Sequence, residues 1–479
     1  MIVMENNLPT VWPVTCHTDH IGKGSIFVAI KGQKNDGVYF IEQALVLGAK
    51  KIIVARDAHI PSELAQAIAA REVSLVFVDD TRQSLAQLSA HAHGFPARKL
   101  KIIAVTGTKG KTTTACFMHH VLRTSGYAAA LMSSVYNKIN DHCYPASLTT
   151  PQPDYMHMFF AQCVAQGIEY VVMEVAAQAT SLHRTDGLIF DAAVFTNFGH
   201  EHSEFYTSFD DYFEAKVHAL KQVKIGGPIV LNADDTRVAA LKNTFKHVSL
   251  FGFSHNVDFT MQLDESYERL SGCISHGDEK KLFECRALFG VFNGYNILAV
   301  AAATYALGIS LAHVVDACLS MYALPGRLEQ HPLKNGAVCI IDCAHTPDSY
   351  EQLLSLLRKK TDHLSVVFGA GGSRDKTKRP IMGGIAARYA DIVFLTSDNP
   401  RAEDPQQIAC DIAAGITLID QKNKVVIELD REKAITMAYQ FTQKGGIIAL
   451  LGKGPDEYQL INDVKVPFSE KEIIRRLDI

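Results

Sequence analysis

The segment Val105-Thr106-Gly107-Thr108-Lys109-Gly110-Lys111-Thr112-Thr113-Thr114 constrains this chain more than any other, because an apolar run (Lys101 to Val105) leads into it and a helical pattern leads out. Glycines let backbone N–H groups close around phosphate oxygens, and the helix that follows turns its positive end toward them. Gly107, Thr108, Lys109, Gly110, Lys111, Thr112 and Thr113 are therefore candidate nucleoside-triphosphate contacts. Lys111 is placed to reach the terminal phosphates, and the Thr112 hydroxyl to ligate Mg²⁺. The general spacing asks for glycine at 105, where this chain has valine, so the match to that pattern is imperfect.

Strand-like runs alternate with helical ones along the chain: Ile52 to Ala55, Leu75 to Val78, Lys101 to Val105, Tyr170 to Val175, Ala192 to Thr196, Ile229 to Asn232, Val338 to Asp342, Leu364 to Phe368, Ile392 to Thr396 and Ile447 to Leu451. That rhythm predicts α/β units with mostly parallel sheets, whose ligands bind beyond the carboxyl ends of the strands. A length of 479 residues suggests about three folding units. A polar, proline-containing link (Pro96 to Lys99) and a turn (Leu324-Pro325-Gly326-Arg327) divide the chain into 1–98, 99–326 and 327–479. Val257 to Glu284 is charged and weakly patterned, and reads as hairpins rather than helix.

The formal charge of −4 is spread without long runs of one sign, so neither a nucleic-acid face nor a polybasic membrane patch is expected. No stretch reaches the roughly 18 apolar residues of a membrane span. Met1 to Pro13 is polar and acidic where a secretory signal needs a basic start and an apolar core. Ten cysteines lie scattered, without C-x-x-C spacing, and read as reduced thiols of a cytoplasmic protein. The expected partners are small molecules, and the chain is expected to act as a monomer.

Other residues carry chemistry by position. Val171-Val172-Met173-Glu174 ends a strand with a carboxylate that suits Mg²⁺; such a residue alone is more often a loop acid or a helix cap, and the glycine-rich loop beside it reverses that preference. His202, in His200-Glu201-His202, follows another strand and could add a ligand or be structural. Lys216, by spacing alone, is an ordinary solvated helix lysine. Asn293 and Asn296 stand at a helix start, where asparagine caps or reads an adenine edge. Asp342 with His345, the cation-rich Gly369 to Pro380, and Asp398-Asn399-Pro400-Arg401 end three further strands. His345 could serve as a base or as a structural histidine, and Arg401 could fork onto a carboxylate.

Taken in order, these motifs resemble the Mur ligase family, and within it the step that adds the third peptide residue. The resemblance begins at Gly24 to Gly32 and Asp36-Gly37 and extends through Gly107 to Thr112, Leu148-Thr149-Thr150-Pro151, Glu174, Arg184, Tyr212 to Lys216, Phe292 to Asn296, Gly326-Arg327, Asp342, Arg374 to Pro380, Asp398 to Arg401 and Gly452-Lys453-Gly454. It implies three α/β domains: a uridine-nucleotide domain, a central P-loop ATPase-like parallel sheet and a C-terminal Rossmann-like domain. The implied reaction is ATP-dependent amide ligation through an acyl-phosphate, with Mg²⁺, joining a UDP-N-acetylmuramoyl dipeptide to a free amino acid.

The resemblance assigns catalytic roles to Lys111, Glu174, His202 and Lys216, with Thr112, Glu174, His202 and a carbamylated Lys216 as metal ligands. Asn293, Asn296, Arg327, Asp342, Asp375 and Lys376 join the ATP contacts. Thr18, Thr149, Thr150, Arg184, Asp398, Asn399, Arg401, Gly452 and Asp456 are implied substrate contacts. Asp398 to Arg401 has the form associated with meso-diaminopimelate, whose distal carboxylate a guanidinium matches and a lysine substrate lacks.

The chain departs from the family at His17-Thr18-Asp19, Ala176-Ala177-Gln178, Glu201-His202-Ser203-Glu204 and Pro455-Asp456. These changes leave two alternatives: the same step with L-lysine or another amino acid, and a nucleotide-binding subunit that has lost catalysis.

Overall fold

The structure, a computed structural model, describes residues 4, 7–32, 35–199, 205–254, 256–264, 269–416, 424–462 and 464–477. Among the described residues three larger sheets follow one another along the chain, and a two-stranded antiparallel one, Tyr458–Ile461 with Val464–Pro467, comes after the last strand of the third. The first is parallel, with the strands Val14–Thr15, Ile26–Val28, Lys51–Ala55 and Ser74–Val78 in sequential order. The second has eleven strands; Lys101–Thr106 lies near its middle, between Ala192–Phe195 and Tyr170–Glu174 and parallel to both. The third is ordered Glu329–Pro332, Val338–Asp342, Ile447–Leu451, Leu364–Phe368, Ile392–Leu395 and Val425–Ile427, parallel except for its first strand.

The central strands are buried on both faces because their residues alternate between two cores. Ile103 and Val105 join the helices Lys111–Thr124, Val291–Ala306 and Leu311–Ser320 on one side. Ile102 and Ala104 join Pro153–Ala165 and Phe209–Lys221 on the other. A period-two side-chain alternation inside a continuous apolar run gives this double burial. In Val291–Ala306 the run Ala299, Ala301, Ala302 and Ala303 is fully buried, and its small side chains let that helix pack closely on Lys111–Thr124.

The charged stretch after Val257 forms the antiparallel strands Phe259–Leu263, Leu270–His276 and Glu279–Cys285 at one edge of the central sheet. Leu270, Gly272 and Ile274 are buried while their neighbours are not, as expected of a sheet with one wet face. The strands Val14–Thr15 and Ile26–Val28 are too short to produce a periodicity, and sequence patterning does not find them. The first sheet is tied to the second by Asp154, which is buried and accepts hydrogen bonds from Thr15 Oγ1 (3.1 Å) and the Cys16 backbone N–H (3.0 Å). Among the described residues no helix is long and apolar enough to cross a membrane.

Candidate active site

The loop after Lys101–Thr106 is shaped by two glycines. Gly107 has φ +144° and Gly110 has φ +79°; a Cβ at Gly107 would overlap Thr196 Oγ1, and one at Gly110 would overlap Asn296 Oδ1. Glycine is required at both, for backbone conformation and for close approach. Lys111, first residue of its helix, folds its ammonium over the loop and donates to the carbonyls of Gly107 (2.8 Å) and Thr108 (2.9 Å). The Thr108 backbone N–H donates to Asn197 O, and the Lys109 N–H to Asn197 Oδ1, both at 2.8 Å. Thr113 is buried within the helix.

Behind the loop, Thr114 Oγ1 donates to Asn296 Oδ1 (3.2 Å), and Asn296 Nδ2 donates to Asn293 Oδ1 (2.9 Å). Asn293 in turn donates to Phe289 O (2.9 Å). The two asparagines thus brace the Gly107–Gly110 loop and the helix after it against the helix Val291–Ala306, a contact that the helix-start reading does not anticipate.

Glu174 ends its strand 1% exposed, with Oε2 accepting from Thr112 Oγ1 (3.0 Å) and Oε1 from the Ser134 N–H (2.7 Å). Ser134 Oγ lies 2.9 Å from Thr112 Oγ1, and Arg327 NH2 donates to Thr112 Oγ1 at 3.2 Å. Four side chains from four separate segments therefore converge on one point. Ser134 was missed by sequence reasoning because Met132-Ser133-Ser134-Val135 has no local pattern of its own.

Lys216 corrects its bland reading: it is 2% exposed, with Nζ donating to Gly107 O at 2.7 Å and lying 4.5 Å from the Tyr212 ring centroid. Helical phase alone does not reveal this, since the contact that covers Lys216 comes from the distant Gly107 loop. His202 lies outside the described residues.

The third sheet faces the loop. Lys109 Nζ donates across the gap to Thr346 Oγ1 at 2.7 Å. Asp342 accepts from the Leu328 and Ala344 N–H groups, each at 2.8 Å; burial raises its pKa and Arg327 opposes the rise. His345 Nδ1 lies 2.8 Å from Cys343 O. Asp375 is turned onto Thr377, whose hydroxyl donates to it at 2.6 Å, and Lys376 lies 3.6 Å from Glu403. These two are held by their own domain.

A cavity of about 760 Å³ opens between the second and third sheets, lined by Gln178, Tyr206, Tyr212, His345, Arg374, Asp375, Asp398, Asn399, Arg401 and Gly452 among others. Arg401, at φ +54°, donates to Gly372 O (2.9 Å); burial lowers its pKa, and Arg374 adds to the fall. Asn399 Oδ1 accepts from the Leu460 N–H (2.8 Å). Burial raises the pKa of Asp456 against the pull of Lys453.

The remaining candidates lie toward the first sheet. Thr150 uses its hydroxyl to join Glu174 O (2.9 Å) and the Ala176 N–H (3.0 Å), which gives it a bracing position. Arg184 NH1 donates to Thr150 O (2.9 Å), and burial, then Arg82, takes its pKa down to about 10. Thr149 is half-buried beside them, and Thr18 opens a short 3₁₀ turn.

As for metal, no cluster of three or more His, Cys, Asp or Glu is present among the described residues. The hydroxyls of Thr112 and Ser134 with one Glu174 carboxylate still fit Mg²⁺, which takes one or two carboxylates and completes its shell with phosphate and water.

Comparisons with known proteins agree over nearly the whole length. The chain matches the Mur ligase family, catalytic domain, over residues 13–93; the Mur ligase middle domain over 105–304; and the Mur ligase, glutamate ligase domain over 326–454. It is 35% identical to the UDP-N-acetylmuramoyl-L-alanyl-D-glutamate–2,6-diaminopimelate ligase of Geobacillus thermodenitrificans, over 98% of this chain and 94% of that protein. It is 36% identical to the ligase of the same name from Caldanaerobacter subterraneus subsp. tengcongensis, over 94% and 91%. A solved structure of a ligase of that name is similar at TM-score 0.63 and 26% identity, covering 98% of this chain and 94% of that one. The fold is shared with the MurF ligase of Thermotoga maritima, solved with ADP, at TM-score 0.67 and 19% identity, covering 93% and 95%.

Proposed function

The chain belongs to the Mur ligase family, and we propose that it joins meso-2,6-diaminopimelate to UDP-N-acetylmuramoyl-L-alanyl-D-glutamate at the expense of ATP. It is an ATP-dependent carbon–nitrogen ligase of peptidoglycan synthesis. Residues 1–98 hold the uridine nucleotide, 99–326 the ATP and 327–479 the amino acid, and the enzyme acts as a cytoplasmic monomer.

The reaction has two transfers. A carboxylate oxygen of the dipeptide attacks the γ-phosphorus of ATP, the bond to ADP breaks, and an acyl-phosphate forms. The amino nitrogen of diaminopimelate then attacks the acyl carbon, phosphate leaves, and the nitrogen loses a proton. Lys111 exchanges its bonds to the loop carbonyls for bonds donated to β- and γ-phosphate oxygens, where its charge offsets that developing in transfer. Thr112 and Glu174 would hold Mg²⁺, and His202 and a carbamylated Lys216 would hold a second ion; such metal, when bound, would neutralise phosphate charge. Asn293 and Asn296 set the nucleotide side of the loop, and Arg327, Asp342, Asp375 and Lys376 complete it from the last domain. Thr18, Thr149, Thr150 and Arg184 align the muramoyl dipeptide. Asp398, Asn399, Arg401, Gly452 and Asp456 receive the amino acid, with Arg401 paired to its distal carboxylate.

The observation that carries this reading is the meeting of two strand-end clusters in one cleft. Arg327 touches Thr112 and Lys109 touches Thr346, and Thr346 lines the same cavity as Asp398, Asn399, Arg401 and Gly452, so the loop read as holding the triphosphate borders the space read as holding the amino acid. Water exclusion by that wall protects the acyl-phosphate. The test is phosphate release with the UDP-dipeptide and a panel of amino acids, with the product identified by mass. Release with diaminopimelate alone supports the proposal. Release with lysine assigns the same step to another residue, and no release with any amino acid makes the chain a nucleotide-binding subunit.

A further inference from the structure

Arg431 opens the helix Arg431–Phe441 with a side chain that has no exposed surface. The placement is unfavourable twice over, because a guanidinium is taken out of water and set at the positive end of a helix. Its Nε donates to Glu470 Oε1 at 2.9 Å, and its NH2 donates to the carbonyl of Leu451 at 2.9 Å. Glu470 is itself buried at the start of the last helix, Glu470–Leu477.

Leu451 ends Ile447–Leu451, the strand between Val338–Asp342 and Leu364–Phe368, and its register partners are Asp342 and Phe368. The next residue, Gly452, donates its N–H to Asp342 O at 3.0 Å and packs so closely on Asp398 that a Cβ would overlap the carboxylate. Lys453 then places Nζ 3.4 Å from Asn399 Oδ1 and donates to Tyr458 O. One strand end therefore borders both the nucleotide side, at Asp342, and the amino-acid side, at Asp398 to Arg401, but the Asp342 carboxylate is held separately by the Leu328 and Ala344 N–H groups, whereas Asp398 and Asn399 lie directly against Gly452 and Lys453. Arg431 is the buried side chain that grips it.

We propose that Arg431, fixed by Glu470, is a positioning residue for amino-acid selectivity: it holds the Leu451 carbonyl and, through Gly452 and Lys453, the geometry of Asp398, Asn399 and Arg401. The proposal rests on reading Asp398 to Arg401 as the amino-acid site. A planar fork bonds Glu470 and Leu451 at once in a fixed orientation, whereas a lysine ammonium is a single point on a flexible stem. The last helix thereby becomes part of the specificity apparatus while touching no substrate.

The test uses the full chain with the double substitution R431M/E470L, which replaces a buried ion pair by apolar groups and so leaves neither partner buried without the other, together with R431K. The expected result for the double variant is a KM for diaminopimelate raised about tenfold or more, as for loss of binding made equally in the ground and transition states. Its KM for ATP and kcat stay within about twofold of wild type, and R431K falls between. Hydrogen exchange of the 452–457 segment is expected to quicken in both variants while that of Lys101–Thr106 holds. An unchanged KM for the amino acid, or equal rises for ATP and amino acid, overturns the proposal. Should the double variant fail to fold, R431K decides alone, and wild-type amino-acid KM there overturns it. If the wild type itself does not use diaminopimelate, the functional reading fails, and the exchange rates still report on whether Arg431 holds the strand end.

Discussion

Glu174→Gln separates the chemical role of this carboxylate from its structural one. The Ser134 N–H, 2.7 Å from Oε1, requires an acceptor, so the new amide keeps its oxygen there. The amide NH₂ then takes the place of Oε2, 3.0 Å from Thr112 Oγ1. That hydroxyl accepts from it while donating to Ser134 Oγ at 2.9 Å, so every polar atom keeps a partner. The structural loss is the change of two charge-assisted bonds to neutral ones, about 1–2 kcal/mol in all. At about 2–4 °C per kcal/mol for a domain of this size, the melting temperature falls by a few degrees.

Catalysis loses far more, because an amide supplies no negative charge to Mg²⁺. A loss of about 3–4 kcal/mol of transition-state stabilisation lowers kcat roughly 10²–10³-fold. The assay is phosphate release over a Mg²⁺ titration, with a thermal melt of the same preparation. A variant with wild-type kcat and an unchanged Mg²⁺ requirement refutes the metal role. One that melts more than about 10 °C lower refutes the isosteric argument.

Lys216→Ala is expected to abolish turnover, and high formate or bicarbonate to restore part of it; unchanged activity removes Lys216 from the mechanism. Arg401→Ala should raise the KM for diaminopimelate by about tenfold or more through loss of a forked carboxylate contact, with ATP affinity held; an equal loss for lysine and diaminopimelate counts against the clamp. Glu329, beside the Gly326 turn, is opposed by burial, but His331, the Gly326 N–H and Lys471 outweigh it and hold its carboxyl down at about 2. Its folded pKa thus lies below the unfolded value of about 4.3, so its contribution is full above that value and is lost as pH falls toward 2. Melts of wild type and Glu329→Gln at pH 6 and pH 3 should differ less at pH 3, and a constant difference would contradict the linkage.

Much was legible in the sequence because it is written locally. The apolar runs ending at Asp342, Phe368 and Leu451 are strands in the structure at those same residues, since continuous burial demands continuous apolar side chains. The glycines at 107 and 110 mark a tight loop between a strand and a helix, and the structure adds that a Cβ at either would overlap a neighbour. The order of the motifs declares the family. What stayed hidden depends on partners far apart in the chain. By spacing alone Lys216 reads as a surface lysine, singled out only by the family resemblance, and its burial emerges once the Gly107 carbonyl closes over it; Ser134 reads as a loop serine until Glu174 and Thr112 meet it. Arg431 offers no motif at all, because its meaning lies in a carbonyl 20 positions and a carboxylate 39 positions away. Backbone conformation and burial are dictated by neighbours in sequence, and so can be read from it. The convergence of side chains on one point is fixed by how sheets dock, a property that exists only once the chain has folded.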